Sequence, residues 1–115
     1  LIIGKTERGW FGDHASPITA EEALELNYPE SEGMLIKGVE KDSPAEQSGL
    51  QINDIITGFN KEPITSLSIF RRKLLILIPG QEIHLTIFRD GKTFEITSTL
   101  ARKKTEEENA AEPTS

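Results

Sequence analysis

The sequence predicts an α+β fold, a small and mostly antiparallel β-sheet flanked by helices, and three features predict it. The first is Ser43-Pro44-Ala45-Glu46-Gln47-Ser48-Gly49-Leu50, which reads as a short, well-capped helix. The second is Asp90-Gly91, set between two runs that alternate apolar with polar residues. The third is Ser66 to Ile78, an amphipathic stretch stopped by Pro79-Gly80.

In chain order, a strand around His14-Ala15 ends at Pro17, which has no main-chain N–H to donate. Thr19-Ala20-Glu21-Glu22 is a capping box that opens a helix reaching about Asn27. Met34 to Val39 is a largely apolar run and predicts a buried strand. Ser43 then caps free amides, Pro44 takes the first helical position and Glu46 completes a second capping box. Gly49 ends that helix with a left-handed residue. Asp54 to Phe59 is another buried strand, and Asn60-Lys61 turns the chain into a short strand near Pro63-Ile64.

In the helix from Ser66, Phe70, Leu74 and Leu77 share the core side, while Arg71, Arg72 and Lys73 fall largely elsewhere as a solvated face. The last pair of strands, Glu82 to Arg89 and Lys92 to Leu100, forms a hairpin around Asp90-Gly91. Its buried face sets Ile83, Leu85 and Ile87 against Phe94, Ile96 and Leu100. Residues 1–8 are expected to be a linker, 9–101 the folded module and 102–115 a disordered acidic tail or linker.

Composition removes several functions. The formal net charge is -6, with 13 Lys and Arg against 19 Asp and Glu. No basic face is available to displace counterions from phosphate, which argues against nucleic acid. The chain has no Cys, so disulfide frameworks and thiol nucleophiles are absent. His14 and His84 lack a second ligand at metal spacing, and no metal or cofactor is expected. No nucleophile elbow, zinc-protease helix or phosphate loop is present, and Ser, His and Asp occur at no spacing that favours a triad. The chain is therefore expected not to be an enzyme itself.

Several short strings carry a family resemblance. Gly4-Lys5-Thr6-Glu7-Arg8-Gly9-Trp10-Phe11-Gly12 resembles the join between protease and first PDZ domain in the bacterial HtrA (Deg) serine proteases. Ser43-Pro44-Ala45-Glu46 with Gly49-Leu50, Asn53-Asp54-Ile55-Ile56, Phe59-Asn60, Pro79-Gly80 and Arg89-Asp90-Gly91-Lys92 resemble further stretches of that family, in one register. Asn53 stands where the family usually has Gly, and a left-handed turn suits it. The resemblance implies a PDZ-like, partly open β-barrel or sheet in the permuted bacterial topology. It also implies a module that docks C-terminal or exposed hydrophobic peptides, tethering substrate to an attached trypsin-like protease and regulating it. Implied partners are peptide or unfolded-protein C-termini and the protease domain, with a homo-oligomeric parent, a monomeric isolated domain and a periplasmic or extracytoplasmic location.

The expected site starts at the glycine-flanked bend. Gly9 and Gly12 open backbone conformations closed to other residues, so successive amides can converge on an anion. By resemblance, the amides of Phe11, Gly12 and Asp13 hold a peptide carboxylate, Arg8 adds long-range attraction, and His14 and Ala15 pair with the peptide main chain. Ile69, Lys73 and Ile76 form the helical wall, and Phe11, Asp13, Ala15, Lys73 and Ile76 enclose the last side chain. Trp10 belongs to the same loop, although packing in the core or against a neighbouring domain is the favoured account of its side chain.

Asp13 departs from the family, which places an apolar residue there. A carboxylate a few ångströms from a ligand carboxylate repels it by about 1 kcal/mol in water and by more when desolvated. Two placements are open: a pair with Lys73 across the groove, or a side chain turned to solvent. Two other functions also remain open. One is a PDZ domain from a different membrane-associated protease or a secretion scaffold, against which the Arg8-Gly9-Trp10-Phe11-Gly12 lead-in argues. The other is a structural interaction domain with a closed groove.

Overall fold

The computed structural model describes residues 9–102. Five strands follow the order β2 (Asp13–Pro17), β3 (Met34–Val39), β4 (Ile55–Phe59), β6 (Glu82–Arg89) and β7 (Lys92–Thr99), and β5 (Glu62–Pro63) pairs with β4. Every pairing among the described residues is antiparallel, and the sheet does not close into a barrel. A separate two-stranded ribbon joins β1 (Gly9–Trp10) to β8 (Ala101–Arg102). The helices are α1 (Ala20–Glu25), α2 (Pro44–Gln47) and α3 (Leu67–Leu75).

The apolar runs of β3 and β4 are buried on both faces, which is why they do not alternate with polar residues. Met34, Ile36 and Ile56 enter one core with Phe59, Phe70, Ile83, Leu85 and Ile87. Leu35 and Ile55 point the other way, into a second cluster with Ile18, Tyr28 and Phe88. The hairpin has the expected register, Leu85 opposite Ile96 and Ile87 opposite Phe94. Its turn has positive φ at both Asp90 (50°) and Gly91 (80°), the geometry that matches the twist of paired strands.

Three local expectations need correction. The Ser43 hydroxyl accepts from the Glu46 N–H at 3.1 Å, but the Glu46 carboxylate bonds the Asp42 amide at 2.7 Å rather than that of Ser43. The Ser43 N–H is directed instead to the Glu40 carbonyl at 3.3 Å. Helix α3 ends at Leu75 with Ile76 as its cap, earlier than Ile78. A proline ring collides with the carbonyl of residue i−4 in a helix, and Pro79 sets that limit at Leu75. Finally, Arg102 lies in β8 rather than in a tail. A strand this short carries no periodic signal, and it exists because Gly9 and Trp10 offer it a partner.

Asn53 is left-handed with φ 79°, as a residue standing for Gly should be. The neighbouring Asp54 is buried, and its two oxygens accept from Arg89 Nε and Nη2 at 2.7 Å each. Arg89 Nη2 also donates to the Gly49 carbonyl at 2.8 Å, so this arginine clamps the turn after α2 onto β6.

Candidate functional site

A cleft of about 420 Å³ lies between the β1–β2 bend and α3. It is lined by Gly9, Trp10, Phe11, Gly12, Asp13 and His14 on one side and by Arg71, Leu74 and Leu75 on the helix, with Glu40 also at its wall. Among the described residues, strand β2 ends the sheet and pairs with β3 on one side only. Its register shifts between His14 and Ala15, a bulge that twists the edge locally.

The bend is held from both ends. The Gly9 N–H donates to the Leu77 carbonyl at 3.0 Å, tying it to the end of α3. The carbonyls of Phe11 and Gly12 accept from Ala45 and Glu40, at 2.9 and 2.8 Å. Gly12 has φ +94°, and a Cβ there would lie 2.2 Å from Ser43 Cβ. Only glycine satisfies both the angle and the close approach. The Phe11 side chain is buried in the main core at the floor of the bend.

Helix α3 stands on Phe70, which is fully buried and meets the Phe59 ring edge-on at 6.1 Å. Leu67 and Leu74 pack beside it, which turns Arg71 and Leu75 toward the bend. The expected helical wall is therefore out of phase. Ile69, Lys73 and Ile76 do not line the cleft: Ile69 and Ile76 are exposed, and Lys73 Nζ bonds Glu62 at 2.7 Å. Leu74 serves both core and cleft because it sits where the two faces meet. The i, i+3, i+4 spacing of Arg71, Leu74 and Leu75 was visible in the sequence, but the rotation of the helix was not.

Neither placement foreseen for Asp13 occurs. Its side chain is 2% exposed and pairs with Arg71, whose Nη1 donates to Oδ1 at 3.3 Å and to Oδ2 at 3.4 Å. Burial pushes the Asp13 carboxyl above its ordinary range; Arg71 and the Asp13 main-chain N–H, which bonds the carboxylate, offset this only in part. Arg71, expected on a solvated face, is thus turned inward. His14 is exposed and reaches Glu40 at 3.0 Å. Ala15 is half-buried against the core and lies on β2 outside the cleft lining. Arg8 lies outside the described residues. Glu40 was missed because the loop after β3 meets the bend only in three dimensions.

Comparison with known proteins agrees with this fold. Residues 17–100 match the PDZ domain family. The chain is 36% identical over 104 residues to a probable periplasmic serine endoprotease, DegP-like, of Chlamydia trachomatis, covering 90% of this chain and 21% of that protein. It is 34% identical over 98 residues to the similarly described protein of Brucella suis, covering 85% and 19%. The chain thus spans about a fifth of the length of these relatives. Among solved structures, it superposes on an HtrA-type protease, AlgW, with a decapeptide at a TM-score of 0.77 and 27% identity, covering 86% of this chain and 30% of that one. The HtrA3 PDZ domain bound to a phage-derived ligand has the same fold at a TM-score of 0.66 and 23% identity, covering 85% and 88%.

Proposed function

This chain belongs to the PDZ domain family, and on that premise we propose that it is the peptide-docking module of an HtrA-type serine protease acting outside the cytoplasm. A C-terminal or exposed hydrophobic peptide adds as a strand to the free edge of β2, with its end in the cleft between the bend and α3. Docking holds substrate near the attached protease domain. It regulates that domain to the extent that a bound peptide favours one domain arrangement over another. The observation that carries the reading is the unpaired β2 edge leading into a glycine-bent cleft walled by α3. The similarity to periplasmic endoproteases and to a peptide-bound HtrA-type protease supports the parent and the compartment.

Titration with a library of C-terminal peptides, read by the amide resonances of residues 9–16, tests it. Shifts concentrated there and along α3 support docking. Silence there with responses elsewhere overturns it. A closed groove is the second reading, favoured by the buried Asp13 carboxylate at the bend, whose negative charge opposes that of a ligand terminus. The same titration separates the two.

A further inference from the structure

The sheet carries a second concavity, on the face that bears the smaller core cluster. A cavity of about 380 Å³ opens between the loop after α1, residues 28–32, and the stretch that leaves β5, residues 63–65. Its floor is an aromatic pair from that cluster, the Tyr28 and Phe88 rings, which meet edge-on at 5.1 Å. Thr57 and Ile64 form one wall, and Glu30 and Glu32 stand on the other. The cavity and the docking cleft share no lining residue.

Both walls are fixed before a ligand arrives. The Tyr28 N–H donates to the Ala23 carbonyl at 2.8 Å and its hydroxyl donates to the Glu32 carbonyl, which pins the loop at both ends. Gly33 follows so closely that a Cβ there would lie 2.7 Å from Ile55 Cγ2. Across the cavity, the Ile64 N–H donates to the Thr57 carbonyl at 3.0 Å. A preformed recess loses little freedom on binding.

The chemistry of this recess is one-sided. None of its lining residues is basic, and among the described residues Glu30 and Glu32 have no ion-pair partner. Burial, and then the charges of these two glutamates, push the Tyr28 phenol above its ordinary range, so both carboxylates act on the floor. Rings and carboxylates together favour a cation. A planar guanidinium uses both, resting on an aromatic ring while its N–H fork meets carboxylate and hydroxyl oxygens; a compact, strongly hydrated ammonium uses the rings less well. The apolar stem of such a side chain suits a wall that includes Pro63 and Ile64. We propose that this cavity receives an arginine side chain from the surface of a partner protein, at a site separate from the peptide cleft and open while the cleft is filled. The net charge of -6 favours the approach of a basic surface.

The test uses the full chain and the pentapeptide Gly-Gly-Arg-Gly-Gly, blocked at both ends so that it carries no free carboxylate. Peptides with citrulline or lysine at the centre serve as neutral and ammonium controls. The arginine peptide is expected to shift the amide resonances of residues 28–33, Thr57 and Thr93 saturably, and to bind about fivefold or more tightly than either control. Glu30→Gln combined with Glu32→Gln should abolish that preference. Glu21→Gln combined with Glu95→Gln, which removes the same charge from exposed positions elsewhere, should keep it. All four glutamates are exposed, so neither variant disturbs the core. No saturable shift at residues 28–33, or a control peptide binding as tightly as the arginine one, overturns the assignment. So does a preference that survives the first variant or is lost equally in the second. The docking reading stands or falls separately, on C-terminal peptides and residues 9–16.

Discussion

Asp13 keeps a buried carboxylate whose desolvation exceeds what Arg71 and a main-chain N–H return. Its folded pKa is raised above the ordinary 3.8, so between that value and the folded one the native state holds more protons than the unfolded chain. Stability therefore falls as pH rises through that window, and the ionised group costs stability at neutral pH. Asp13→Asn keeps an acceptor and removes the charge. Urea unfolding should find it at least as stable as wild type at pH 7, with the difference vanishing near pH 3. Gly12→Ala should behave oppositely. Its Cβ would collide with Ser43 at a positive φ, and a loss of about 3 kcal/mol or more is expected in the same assay. Arg89→Ala strands the Asp54 carboxylate, which is 1% exposed, and should cost about 3 kcal/mol.

Helix α3 owes its position to one buried ring and its length to two signals at its ends. Ser66 caps the first turn by accepting from the Ile69 N–H at 3.2 Å, and Pro79 stops the last. Ser66→Ala should cost about 1 kcal/mol and speed hydrogen exchange at Ile69 and Phe70. Because α3 also forms the cleft wall, the same variant should weaken peptide binding without touching a peptide contact. The sequence placed this helix correctly but turned its cleft face by one flank. Helical periodicity names a core side, and Phe70 was rightly on it; which flank then meets the bend depends on where β1 and β2 sit.

At the scale of the molecule, the site is closed by pairing between distant ends of the chain. Gly9 and Trp10 are held by Ala101 and Arg102 and by the Leu77 carbonyl. Ending the chain at Leu100 should release β1, raise hydrogen exchange at Trp10 and lower peptide affinity, while the hairpin core keeps its protection. That core has its own support, since Ile83, Leu85 and Ile87 are fully buried. Exposed Leu75, Ile76 and Ile78 lie at the end of α3, where the Gly9 N–H meets the Leu77 carbonyl.

What the residues alone determined was local. A cap, a proline, an Asp-Gly turn and alternating strands each act within a few residues, so the elements, the hairpin register and the glycine bend were legible in order. The family kinship was legible for the same reason, because its strings mark those turns. The tertiary structure decided what crosses between elements: that Asp13 meets Arg71 and Lys73 meets Glu62, that Glu40 joins the cleft, and that β8 exists at all. A charged side chain on a helix has several partners within its reach, and only the packed rotation of that helix selects one.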